Sequence, residues 1–220
     1  MKILVVVAHP DDEVLGCGGT LAKHAKDGDE VFVLALGDGE TSRPGAKVEA
    51  RREQLIQACQ TLGVQKVSAL DFADNRFDQY PLLEVIQKIE QEVKDFHPEV
   101  IYTHSNADLN VDHRVAHEAV LTAFRGVPRS SVRKILTFEI PSSTEWSSVQ
   151  SRSQFVPNCF VNISETLSTK LEALKCYDSE MREAPHPRSF KVVEALATVR
   201  GSQAGLNAAE AFFVERVIEP

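Results

Sequence analysis

The chain has 220 residues, 43% of them hydrophobic and 25% charged, with a formal net charge of −8 at neutral pH. This composition suits one globular domain spanning residues 1–220, and the acidic balance argues against a nucleic-acid backbone or an anionic membrane surface as main partner. Four scattered cysteines with no C-x-x-C pair, no visible leader and no apolar run near the ~20 residues of a membrane span suit a reduced, cytoplasmic protein.

Apolar runs alternate with helical-period segments along the chain. ILVVVA (3–8) reads as a fully buried strand and EVFVLAL (30–36) as a second. Between them Leu15, Leu21, Ala22 and Ala25 fall at helical spacing, and Gly28 is the stop. The spacing predicts helices over 48–64, closed by Gly63, and over 81–96, opened by Pro81, with the strand KVSALDF (66–72) between them. EVIYTH (99–104) is a fourth strand, 112–126 a helix and KILTFEI (134–140) a fifth strand. A short strand FVNI (160–163), helices over 164–181 and 190–203, and a last strand AFFVERV (211–217) complete the chain. Strands alternating with helices predict an α/β fold, a Rossmann-like, mainly parallel sheet with helices on both faces.

Each of the first four strands ends in polar, titratable residues: HPDDE, GDGETSR (37–43), DFADNRFD (71–78) and THSNADLNVDH (103–113). A parallel sheet brings those ends to one side, where ligands of such sheets bind. His9 and Asp12 are three apart at a strand-to-helix turn, and His113 opens a helix after the fourth strand. Two histidines and a carboxylate with open positions suit a catalytic Zn²⁺, which also relieves the repulsion among Asp11, Asp12 and Glu13. Asp11 is then placed as general base beside the metal. Gly16, Gly18 and Gly19 serve either close backbone approach beneath the ligands or plain helix–sheet packing. Cys17 reads as a small packed residue, His24 as a helix-surface residue, and His104 and His117 as packing rather than ligands.

AHPDDEVLGCGGTLA together with DLNVDHR, supported by DNRFD and the late RGSQAG and AEAF stretches, resembles the LmbE/PIG-L family of zinc-dependent N-deacetylases over nearly the whole chain. The resemblance implies a Rossmann-like fold and removal of an acetyl group from a GlcNAc-type sugar or glycoconjugate. It implies Zn²⁺ on His9, Asp12 and His113, Asp11 as base, and Asp112 as the acidic member of the family's HxDH motif. Asn110 stands where that motif has its first histidine: it can donate a hydrogen bond to an oxyanion but is no acid at neutral pH. Asp11 itself, or His186 in APHPRS, is then the alternative proton donor. Arg51, Arg76 and Asn75 are candidate substrate contacts, and Phe77, Tyr80 and Trp146 either stack on a sugar ring or pack.

Two other classes compete. A nucleotide-binding module explains a glycine turn after the first strand, but GCGG lacks the G-x-G-x-x-G spacing and three acids repel a pyrophosphate. A metal-dependent phosphohydrolase needs a second metal and more carboxylate ligands. A non-catalytic sugar-binding descendant also accommodates Asn110. The implied partner is a small N-acetylated sugar or glycoconjugate of polysaccharide biosynthesis, and a homo-oligomer is compatible with the sequence.

Overall fold

A computed structural model describes residues 1–128, 130–148, 150 and 154–219; Val149, in the stretch SSTEWSSVQ (142–150), lies outside them. The strands are β1 (Lys2–Val7), β2 (Glu30–Gly37), β3 (Lys66–Phe72), β4 (Val100–His104), β5 (Lys134–Phe138), β6 (Cys159–Asn162) and β7 (Ala209–Val217). The helices are α1 (Asp12–Lys26), α2 (Val48–Thr61), α3 (Leu82–Val93), α4 (Val111–Ala123), α5 (Leu167–Leu174) and α6 (Phe190–Ser202). All seven strands form one sheet in the order β3-β2-β1-β4-β5-β7-β6. β3, β2, β1, β4 and β5 run parallel, while β7 joins β5 and β6 antiparallel.

The unbroken apolar run of β1 is explained by burial on both faces. Ile3, Val5 and Val7 join a core layer with Leu21 of α1, Leu55 of α2 and Leu174 of α5. Leu4, Val6 and Ala8 face the opposite layer, built from Val85 and Ile89 of α3 and Ala116 and Val120 of α4. The expected mainly parallel α/β sheet with helices on both faces is therefore the observed one. Among the described residues no helix is long and apolar enough to cross a membrane.

Chain order reverses between β1 and β4, so the crevice of the sheet opens there. The β1–β4 ladder stops at Val5↔Tyr102. Beyond it, side chains bridge the strands: Thr103 Oγ1 donates to the Val6 carbonyl at 2.9 Å, and the Ala8 N–H donates to His104 Nε2 at 2.8 Å.

Two local features depart from the periodic reading. α1 is kinked at Cys17, whose φ of −146° and ψ of 19° break the helix. The groups freed by the kink find partners from distant segments: the Glu210 carboxylate accepts from the Gly19 and Thr20 N–H groups at 2.9 and 2.7 Å, and Lys170 Nζ donates to the Leu15 carbonyl at 2.9 Å. A Cβ on Gly16 would meet the Phe138 ring at 2.4 Å, so this turn packs closer to β5 than any side chain permits. The helix expected over 164–181 is shorter: α5 ends at Leu174, and a 3₁₀ turn over Lys175–Tyr177 follows. The tighter winding delivers the Tyr177 hydroxyl to Glu13 Oε1 at 2.7 Å. His24 is half-buried rather than a surface residue, held between Asp29 and the Tyr102 hydroxyl at 2.7 and 3.0 Å.

Candidate metal centre at the β1–β4 crevice

Buried strand, turn and helix follow one another within a few residues at the end of β1, and this places His9, Asp11 and Asp12. Asp11 has φ 116° and ψ −28°, a left-handed conformation that costs a residue with a Cβ ~1–3 kcal/mol. The turn is held from both sides. The Asp11 N–H donates to Glu13 Oε2 at 3.0 Å, and the Asp11 carbonyl accepts from the Val14 and Leu15 N–H groups at 3.1 and 2.9 Å. Burial pushes the Glu13 carboxyl up to about 8, against the opposing effect of the Tyr177 hydroxyl.

His9, Asp12 and His113 offer ligand atoms that lie within 4.8 Å of one another, and all three residues are buried. Asp12 Oδ2 is 3.4 Å from both His9 Nδ1 and His113 Nε2. Asp12 Oδ1 and His113 Nε2 are fully buried without a hydrogen-bond partner, an arrangement that costs free energy unless something else satisfies them. A divalent cation would do so, and two histidines with a carboxylate fit the donor set that suits zinc with open positions. The carboxylates already draw positive charge. Burial alone would lower both imidazoles, yet Asp112 and Asp12 raise His9 to about 10, and Asp12 and Asp108 raise His113 to about 9.

A surrounding layer of residues orients these groups. Asp112 is buried at the start of α4; its Oδ2 meets His9 Nε2 at 2.8 Å and accepts from the Asn75 N–H at 2.7 Å, while Oδ1 accepts from the Phe77 N–H at 3.0 Å. It therefore aims His9 and ties down the DNRFD loop. Asp74 Oδ1 lies 3.2 Å from the same His9 nitrogen. Asp108 Oδ1 lies 3.1 Å from His113 Nδ1; Thr144 donates to Asp108 at 2.7 Å and Ser143 donates to it as well. Burial would raise the Asp108 carboxyl, but the His113 imidazole and these hydroxyls hold it at about 2. His104 stacks on His113 with ring centroids 4.0 Å apart. It packs fully buried behind the cluster, and His117 Nδ1 meets the His104 carbonyl at 2.9 Å.

The remaining sequence candidates fall in different places. Asn110 is the N-cap of α4; its side-chain oxygen accepts from the Asp112 N–H at 2.8 Å, leaving the amide NH₂ as a donor. Asn75 and Arg76 sit on the exposed rim, Asn75 Nδ2 donating to Asp74 at 3.1 Å. Arg51 is 2% exposed and bonded to Glu40 at 2.8 Å and to Glu180. His186 packs edge-on against Trp146, at 5.8 Å between centroids, and its Nδ1 accepts from the Arg188 N–H at 3.1 Å. Phe77 is fully buried, Tyr80 half-buried and Trp146 52% exposed.

The residue of that C-terminal loop in contact with Asp11 is Arg188, whose Nη1 donates to Asp11 Oδ2 at 2.9 Å. Burial raises the Asp11 carboxyl and Arg188 pulls it down, leaving it at about 6. Arg188, Asp74 and Asp108 were missed from the sequence. The two aspartates lie in strand-end loops already singled out, but nothing local distinguished Arg188 from its neighbours in APHPRS.

A switch-point crevice in a doubly wound sheet, lined by a buried histidine–carboxylate set with orphaned donor atoms, defines an α/β protein with a candidate cation site. Comparison with known proteins narrows the class. The family described as PIG-L, GlcNAc-PI de-N-acetylase, matches residues 4–124. An uncharacterized deacetylase of Escherichia coli, YaiS, is 33% identical over 183 residues, 80% of this chain and 90% of the relative. The diacetylchitobiose deacetylase of Thermococcus kodakarensis is 28% identical over 222 residues, 95% of this chain and 81% of the relative. The N,N'-diacetylchitobiose deacetylase of Pyrococcus horikoshii superposes with a TM-score of 0.78 at 21% identity, covering 98% of this chain and 84% of that one, a likeness of fold. A 4-oxalmesaconate hydratase of Pseudomonas putida is also related, 28% identical over 230 residues, 93% of this chain and 81% of the relative. The chain belongs to the PIG-L (LmbE) family.

Proposed function

We propose that the protein is a zinc-dependent N-deacetylase that hydrolyses the N-acetyl group of a GlcNAc-type sugar or glycoconjugate, releasing acetate and a free amine. The observation that carries this reading is the convergence of His9, Asp12 and His113 with orphaned donor atoms, next to Asp11 in a family whose relatives are named deacetylases. His9, Asp12 and His113 would hold the ion. Zinc, when bound, supplies a Lewis acid that lowers the pKa of water toward ~7 and polarises the acetyl carbonyl.

The chain's own residues do the rest. Asp11 takes a proton from the attacking water as the C–O bond forms, and returns it to the nitrogen as the C–N bond breaks. This return covers the step for which Asn110 has no acidic proton. The Asn110 amide is available to donate to the developing oxyanion. Asp112 and Asp108 keep His9 and His113 in orientation. Asn75, Arg76 and Trp146 on the rim meet the sugar. The four unpaired thiols suit a cytoplasmic enzyme, and the sugar chemistry suits the synthesis of polysaccharides or glycoconjugates.

The test is acetate release from a panel of N-acetylated sugars, diacetylchitobiose included, by zinc-loaded protein. Asp11→Asn should retain zinc and lose ~10²–10⁴-fold in kcat. Full activity in that variant would remove Asp11 from the mechanism. Hydration of 4-oxalmesaconate with no acetate released from any sugar would replace the deacetylase reading with a hydratase one, for which the Pseudomonas relative is the supporting observation.

A further inference from the structure

Arg188 lies in the turn before α6, remote in sequence from HPDDE, and its guanidinium joins three parts of the crevice. Nη1 donates to Asp11 Oδ2 at 2.9 Å, Nε donates to Ser142 Oγ at 2.7 Å, and Nη1 lies 3.7 Å from Glu180. Its side chain is 19% exposed, neither a solvated surface charge nor a sealed one.

Among the described residues, Arg188 makes the only hydrogen bond to the Asp11 carboxylate, and it engages a single oxygen. The Asp11 backbone is fixed in its left-handed turn by Glu13, Val14 and Leu15, but that leaves the side-chain torsions free. We propose, building on the deacetylase reading, that Arg188 is a positioning residue. By binding Oδ2 it sets the rotamer of Asp11 and leaves Oδ1 as the oxygen that meets the proton.

The contact with Ser142 extends this role. Ser142 has φ 69°, left-handed like Asp11, and the next two residues, Ser143 and Thr144, hold Asp108 against His113. One guanidinium therefore ties the proposed base to the turn that steadies the His113 side of the site. Lysine cannot replace it, because a single ammonium lacks the planar fork that donates to Asp11 and Ser142 at once. A base misplaced by an ångström loses ~10²-fold in rate, which sets the expected scale.

A double-mutant cycle of Arg188→Ala and Asp11→Asn, read in kcat, KM, zinc content and Tm, tests the proposal. Arg188→Ala should lower kcat ~10²-fold with KM nearly unchanged and zinc retained. Methylguanidinium should restore part of that turnover, and Arg188→Lys should stay well below wild type. On the residual turnover of Asp11→Asn, removing Arg188 should cost nothing further, and the two Tm changes should be non-additive. Additive losses in kcat, or a loss confined to KM, would overturn the positioning role and assign Arg188 to structure or to substrate contact. A wild-type protein that releases no acetate from any sugar would fail before the cycle begins. That outcome removes the deacetylase reading and the proposal with it, whereas an active wild type with additive variants removes the proposal alone.

Discussion

Replacing Glu180 by Gln removes a charge on which three arginines converge. The Glu180 side chain is 4% exposed; it accepts from Arg43 at 2.5 and 2.9 Å and from Arg51, and Arg188 approaches to 3.7 Å. Burial would raise its carboxyl, but Arg43 and Arg51 hold it down, at about 2 against the ordinary 4.5. At ~1.36 kcal/mol per pH unit this corresponds to about 3 kcal/mol of stability at neutral pH. The folded-state pKa is depressed, so the contribution is complete above the unfolded value and disappears as pH falls from about 4.5 to about 2. At pH 3 less than half of it survives by the same linkage. For a chain of this size each kcal/mol moves Tm by ~2–4 °C. Glu180→Gln should therefore melt ~6–12 °C below wild type at pH 7, and the gap should shrink by more than half at pH 3. Scanning calorimetry or urea denaturation at both pH values measures it. A gap of the same size at pH 7 and pH 3 would show that the loss comes from packing and would refute the electrostatic account.

Gly16→Ala forces a methyl into the Phe138 ring, and such overpacking should cost ~1–3 kcal/mol in denaturant unfolding. Asp112→Ala releases both His9 and the backbone of the DNRFD loop; it should weaken zinc affinity ~10–100-fold in a chelator competition. Zinc at ~100 times its Kd should stabilise the wild type by about 2.7 kcal/mol. That increment should vanish in His113→Ala, and a rise in Tm that persists there would place the ion elsewhere.

Much of this was legible because buried parallel strands write themselves as apolar runs. ILVVVA and EVFVLAL are strands whose two faces both meet helices, and the polar residue that ends each run marks the crevice. The HPDDE and DHR residues were legible for the same reason: titratable groups at a strand end are out of place unless they converge. The kink at Cys17 was not, because the partners that sustain it, Glu210 and Lys170, lie in the last strand and in α5. The fate of Arg51 was equally hidden. Its helix could be read, but its burial depends on Glu180, which comes from a turn wound tightly by the 3₁₀ segment after α5. His186 and Arg188 share a loop, and only the path of the backbone decides which of them meets Asp11.

Where the β1–β4 ladder ends, main-chain pairing hands over to the hydroxyl of Thr103 and the imidazole of His104. The crevice beside His9, Asp12 and His113 is thus bridged by two side chains, while β1 with β2 and β4 with β5 keep their ladders. Past Val5 and Tyr102 the contact between β1 and β4 is therefore made by residue choice at two positions rather than by the ladder of the sheet. Because His104 also stacks on His113, a substitution there reaches the candidate site directly, while the ladders of β1 with β2 and of β4 with β5 are made by main-chain groups and depend on neither side chain.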